Sequence, residues 1–178
     1  MSDLGDVVFD LGAYVGYMTL LAAKTAGTGG RMFAFEPMPM NLGYLNNHVK
    51  INRLKNTQVL PYAVSRIAGW RSFDLSKGSG RGGLRPNAKD NTLRVEVVGL
   101  DEMVRQGRLP PPNVIKMDIE GEEAEALKGA TRIFTTVRPK LFLSTHGGEI
   151  RAECESLLSG WNYKIFPIPK ADLLAISL

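Results

Sequence analysis

Val7-Val8-Phe9-Asp10-Leu11-Gly12-Ala13-Tyr14-Val15-Gly16 passes from an apolar run into a glycine turn. Beyond the turn, Val15, Met18, Leu21 and Ala22 recur at helical spacing until Gly27. A short buried-strand pattern feeding a helix through glycine is the unit from which parallel sheets covered on both faces are built. The stretch predicts a strand over 7–11 and a helix over 14–26.

Outward from this unit the pattern repeats. A strand over 31–36 closes at Pro37, and a helix over 41–52 shares Leu42, Leu45 and Val49 on one face. Strands are predicted over 58–63, 114–118 and 141–144, with helices over 100–106, 121–134 and 149–158. Residues 70–75 and 93–98 alternate with a period of two, as a half-exposed antiparallel hairpin would. The chain finishes with strands over 163–167 and 173–177 joined by a turn at 169–172. A tight turn cannot join parallel neighbours, so one terminal strand must run antiparallel. The fold class expected is α/β: a doubly wound, Rossmann-like, seven-stranded mixed sheet with an antiparallel terminal strand, plus an inserted β-hairpin. One domain over 1–178 is expected from the length.

Composition narrows the function classes. With 44% hydrophobic and 22% charged residues the chain matches an average globular protein, which argues against dominant disorder. No apolar stretch approaches the roughly 20 residues of a membrane span, and the first residues lack a secretory pattern, so no membrane partner is expected. The single cysteine, Cys154, excludes an internal disulfide or a cysteine-built zinc site and points to a cytoplasmic compartment. The net charge of +4 is modest for a nucleic-acid binder. Lys77, Arg81, Arg85, Lys89 and Arg94 cluster in a glycine-rich stretch, which reads as a solvated loop or as a patch for RNA.

In open α/β sheets the ligand sits beyond the carboxyl ends of the strands, so the residues just after each strand carry the chemistry. Gly12 allows a sharp turn and close approach, and Gly16 allows tight packing of the helix start. The helix N-terminus would suit an anionic group. Tyr14 stands where a dinucleotide fingerprint needs its second glycine, which argues against NAD. Glu36, 20 residues after Gly16, is placed to accept hydrogen bonds from ribose hydroxyls. Together these features indicate an adenosine-containing cofactor. Asp118 and Glu120 alternate before Gly121 and would face one cleft, as substrate holders, a base or ligands of a hard cation. Glu122 and Glu123 suit the following helix N-terminus, His146 follows the fifth strand and can take a proton, and His48 is given no role.

These stretches, with Phe35-Glu36-Pro37-Met38-Pro39-Met40-Asn41, Val98-Gly99-Leu100-Asp101, Ile115-Lys116-Met117-Asp118-Ile119-Glu120-Gly121 and Leu127-Lys128-Gly129-Ala130, resemble the FkbM-type methyltransferases of the class I S-adenosylmethionine-dependent superfamily. The resemblance implies methyl transfer from S-adenosylmethionine, most often to a hydroxyl of a small molecule, sugar or natural product. It implies that Asp10, Gly12 and Gly16 line the methionine end of the cofactor, that Glu36 binds the ribose and that Met38 packs near the adenine, with Ala13, Pro37, Ala63 and Asp118 also among the cofactor-binding positions. Asp118, Glu120 and His146 would face the transferring methyl group. His146 is then the first choice of base and Asp118 the second. A divalent cation held by Asp118, Glu120 and His146 is an alternative to the metal-free site. Two departures stand out. Ala63-Val64-Ser65-Arg66 lacks the acid that such families often carry after the third strand, and few residues precede the first strand. On the second count the cleft is open, or a second chain of a homo-oligomer covers it. Methylation of RNA or protein through the basic loop, and cofactor binding without catalysis, are the rival functions.

Overall fold

Apolar runs bounded by glycine, proline and asparagine set the elements. The computed structural model describes residues 3–75, 82–84, 92–168 and 172–177. In chain order the first elements are β1 (Val7–Leu11), α1 (Tyr17–Ala26), β2 (Arg31–Phe35), α2 (Pro39–Ile51), β3 (Thr57–Leu60) and β4 (Tyr62–Val64). Then come β5 (Gly69–Asp74), β6 (Gly83–Leu84), β7 (Thr92–Val98), α3 (Leu100–Arg105) and β8 (Val114–Met117). The last are α4 (Glu123–Lys128), β9 (Lys140–Ser144), α5 (Gly148–Gly160), β10 (Tyr163–Ile168) and β11 (Asp172–Ser177).

The main sheet has seven strands in the order β10-β11-β9-β8-β1-β2-β3. β1 pairs in parallel with β2 and β8, so the strand order reverses beside it and opens a crevice at the carboxyl ends. β11 runs antiparallel to both β9 and β10, which is the mixed ending expected from the terminal hairpin. Its turn at 169–171 lies outside the described residues.

Alternate side chains go to opposite faces, which is why both faces carry helices. Phe9, Leu11, Phe33, Phe35, Ile115 and Met117 share a core with Leu100 and Met103 of α3, Leu127 of α4 and Leu158 of α5. Val8, Met32 and Val114 meet Ala22, Ala23 and Ala26 of α1 on the other face, and Ala34 meets Leu45 of α2.

Four expectations need correction. The strand expected over 58–63 breaks at Pro61, which has no N–H to give a ladder. β3 pairs with β2, whereas β4 pairs with β7 in a second sheet. The expected hairpin forms, Trp70 opposite Glu96 and Phe73 opposite Leu93, but it sits inside a four-stranded sheet ordered β4-β7-β5-β6. The helix expected from Tyr14 begins at Tyr17, because Tyr14 (φ 53°) and Gly16 (φ 98°) are left-handed and cannot propagate a right-handed helix. The helix expected over 121–134 ends at Lys128, and a π-helical turn follows at Ile133–Val137. Asp101 explains the second segment: its carboxylate accepts the backbone N–H groups of Arg132 (2.8 Å) and Ile133 (2.9 Å).

Candidate cofactor and catalytic site

The glycine turn is held by the end of β2. The N–H groups of Gly12 and Ala13 both donate to the carbonyl of Phe35, at 3.0 and 2.9 Å. Tyr14 N–H donates to Glu36 Oε2 at 2.9 Å. These three amides, which precede the start of α1 at Tyr17, are thus occupied by protein. A Cβ on Gly12 would run into the carbonyl of Asp118, so glycine here lets the ends of β1 and β8 approach. A Cβ on Gly16 would meet Leu45 Cδ1 at 2.5 Å. His48, given no role by sequence, braces the turn: its Nδ1 lies 2.7 Å from the carbonyl of Val15.

Glu36 is buried, with only 5% of its surface exposed. Its Oε1 accepts from Met38 N–H (3.0 Å) and from the Asn41 side-chain amide (3.1 Å). Burial raises its pKa above the ordinary value, against the lowering effect of these hydrogen bonds and of Lys116. Among the described residues Oε2 has one hydrogen-bond partner, Tyr14 N–H, which leaves it room to accept another.

The second cluster forms after β8 and β9. His146 Nε2 stands 3.6 Å from Asp118 Oδ1 and 3.6 Å from Glu120 Oε2. Its Nδ1 lies 2.9 Å from Glu123 Oε1. Glu123 is fully buried, and the same Oε1 accepts the N–H groups of Ile119 (3.2 Å) and Gly121 (3.1 Å). Desolvation opposes the His146 imidazolium, but the Glu123 hydrogen bond and the charges of Glu123, Glu120 and Asp118 outweigh it, so the pKa is raised. Asp118, Glu120 and His146 each present a ligand atom within 4.8 Å of the others. An imidazole among carboxylates accounts for that proximity without an ion.

One cleft joins Glu36 to Asp118 and Glu120 of the second cluster, while His146 and Glu123 stand outside its lining. Gly12, Tyr14, Glu36, Pro37, Ala63, Asp118 and Glu120 line it, together with Phe73 and Leu84 of the small sheet. Tyr14 and Glu120 (φ 54°) are both non-glycine residues in the left-handed region, a strain that gathers at functional sites. The small sheet supplies one wall, since Gly83 packs against the backbone of Glu120. Of the remaining expected residues, Ala13, Gly16 and Met38 lie behind this lining and support it through the turn and the Glu36 contact. Asp10 faces a second cavity on the α1 side, its Oδ2 accepting from Thr19 Oγ1 at 2.6 Å and its Oδ1 paired with Lys116 at 3.1 Å. Lys116 also donates to the Gly12 carbonyl at 2.8 Å.

Sequence reasoning missed Glu122 and Glu123, taken only as suited to a helix start. Glu122 lines the cleft and accepts from the buried Ser65 hydroxyl at 2.7 Å, so an acid stands in space beside the position where the sequence lacks one. Glu123 carried no signal beyond its place three residues after Glu120. Burial pushes the Cys154 thiol up to about 12, which removes it as a nucleophile. Four of the five clustered cations lie outside the described residues; the fifth, Arg94, sits over the Trp70 ring at 5.3 Å. Among the described residues no helix is long and apolar enough to cross a membrane.

Comparison with known proteins decides the family. The methyltransferase FkbM domain model matches residues 10–165. The chain belongs to the FkbM methyltransferase family. A relative, the hexuronic acid methyltransferase AglP of Haloferax volcanii, is 30% identical over 155 residues, covering 86% of this chain and 62% of its own length. The solved FkbM methyltransferase from Methylobacillus flagellatus KT superposes with a TM-score of 0.70 at 21% identity, over 99% of this chain and 44% of that one. Aeropyrum pernix fibrillarin, in complex with natively bound S-adenosyl-L-methionine, has a TM-score of 0.59 at 15% identity, over 99% of this chain and 67% of that one. This FkbM domain thus spans less than two thirds of the first two relatives' length and shares the Rossmann-like methyltransferase fold.

Proposed function

We propose that this FkbM domain, acting as one unit over 1–178, transfers a methyl group from S-adenosylmethionine to a hydroxyl of a sugar or other small molecule. The observation that carries the reading is a single cleft lined by the buried ribose-type acceptor Glu36 and by Asp118 and Glu120, with His146 Nε2 3.6 Å from each of those two carboxylates. The residues present fit the cofactor: Glu36 Oε2 keeps acceptor capacity for a ribose hydroxyl, and Ala63, Val64, Phe73 and Leu84 form an apolar slot for a purine. Bound there, S-adenosylmethionine supplies a methyl group on a sulfonium, which is already a good leaving group. The chain's task is then to position the acceptor in line and to exclude water.

His146 does the proton work. As the acceptor oxygen takes the methyl group and the carbon–sulfur bond breaks, the hydroxyl proton passes to Nε2. Asp118 and Glu120 stabilise the imidazolium that results, and Asp118 is the second choice of base. The name of the Haloferax relative favours a hexuronate-type acceptor. Incubation with S-adenosylmethionine and glucuronate-bearing glycans, followed by mass spectrometry, tests this. Methylated glycan with the native protein, and roughly 10²–10⁴-fold less with His146→Ala, is expected. Equal product from both proteins would remove His146 as the base. Insensitivity to chelator is also expected; activity lost to chelator and restored by magnesium would replace the proton transfer with a cation at the same three residues.

A further inference from the structure

We propose that Glu123 is the positioning residue of this site: its buried carboxylate holds the His146 imidazole in the tautomer that leaves Nε2 bare toward Asp118 and Glu120. The inference rests on the reading of His146 as the base and extends it to a residue that the cleft does not expose.

Three donors converge on one oxygen. Glu123 Oε1 accepts from Ile119 N–H, from Gly121 N–H and from His146 Nδ1. Oε1 faces the ring as an acceptor, since it already takes two backbone N–H groups, so the ring nitrogen facing it carries the proton. The other nitrogen is then the acceptor, and it is the one directed at the two cleft carboxylates. Ile119 and Gly121 flank Glu120, whose backbone is held left-handed at φ 54°. One oxygen therefore fixes both the turn that presents Glu120 and the ring that faces it.

Closing the start of a six-residue helix does not need this arrangement. A serine or asparagine satisfies such amides without burying a charge. Glu123 is 0% exposed, and its second oxygen has no hydrogen-bond partner among the described residues. A buried carboxylate at that desolvation cost is explained by a cationic partner, and the imidazolium formed on proton uptake is that partner. The arrangement parallels the orienting acid of hydrolytic triads, where loss of the acid leaves the wrong tautomer.

The test is a long-range proton–nitrogen NMR spectrum of the imidazole rings, recorded at a pH where His146 is neutral. The chain has two histidines, and His146→Gln assigns the signals by deleting one set. In the native protein the proton is expected on Nδ1, with Nε2 bare. Glu123→Met, which removes the acceptor, is expected to move the proton to Nε2. Glu123→Gln, which keeps an oxygen at the Oε1 position, is expected to retain the native tautomer. Where methyl transfer is measured, Glu123→Met should lower kcat roughly ten- to hundredfold with little change in KM for the cofactor. A native ring protonated on Nε2, or an unchanged tautomer in Glu123→Met, overturns the proposal. The native spectrum decides even if the variant does not fold. It is also read without turnover, so a failure of the methyl-transfer reading is told apart from a failure of this one.

Discussion

His146 sits among three carboxylates, and its raised pKa gives two opposite pH dependences. As a base it works when neutral, so turnover should rise with pH through a midpoint above the ordinary 6.5. Its contribution to stability has the other sign: present below the unfolded pKa, it is lost as pH rises through the folded one. A pH–rate profile and thermal melts across the same range check both. Glu36→Gln is a second test. Tyr14 N–H, Met38 N–H and the Asn41 amide all donate to the native carboxylate, so the new NH₂ must face a donor. Placing its oxygen at Oε1 keeps two bonds and sets the NH₂ against Tyr14. A loss of about 1–3 kcal/mol in chemical denaturation is expected, together with weakened cofactor binding. Glu36, Asp118, Glu120 and His146 were legible because each follows a strand of a recognisable sheet. Glu123 was not, because an acid at a helix start has an ordinary explanation and only burial shows that it faces a histidine.

At the scale of elements, the glycine turn should tolerate change unevenly. Gly12→Ala drives a Cβ into the Asp118 backbone, where β1 and β8 meet and neither can give way. Gly16→Ala meets the flexible end of Leu45 instead. Both pay about 1–2 kcal/mol for a left-handed alanine, but Gly12→Ala should be clearly the less stable of the two by denaturation, or fail to fold. His48→Ala removes the brace on Val15 and should cost about 1 kcal/mol while weakening cofactor binding from outside the cleft. Strands and helices were read well where a single period ran unbroken, as in β1 and α2. The misreadings came where backbone chemistry outranked the pattern. Pro61 divided a strand between two sheets, left-handed Tyr14 and Gly16 delayed α1, and the Asp101 carboxylate capped a new turn beyond Lys128. That last contact joins residues 31 apart in sequence, which no local pattern contains.

For the whole molecule, the five crossovers and the terminal hairpin that build the sheet were visible in the sequence, but the order β10-β11-β9-β8-β1-β2-β3 was not, because a crossover does not say on which side the next strand pairs. The inserted hairpin was visible too, but its consequence was not. Leu84 and Phe73 line the cleft, so the insertion contributes part of its wall. That contact depends on how two sheets meet, and hydropathy patterns carry no information about it. The cleft they line is where the adenosine cofactor is expected. Calorimetric titration of the protein with S-adenosylmethionine, S-adenosylhomocysteine and NAD, repeated on Glu36→Gln, tests this most directly. Binding of both sulfur compounds, no binding of NAD and a weaker interaction in the variant are expected. Binding of NAD in place of the sulfur compounds, or native-like affinity for them in Glu36→Gln, would contradict it.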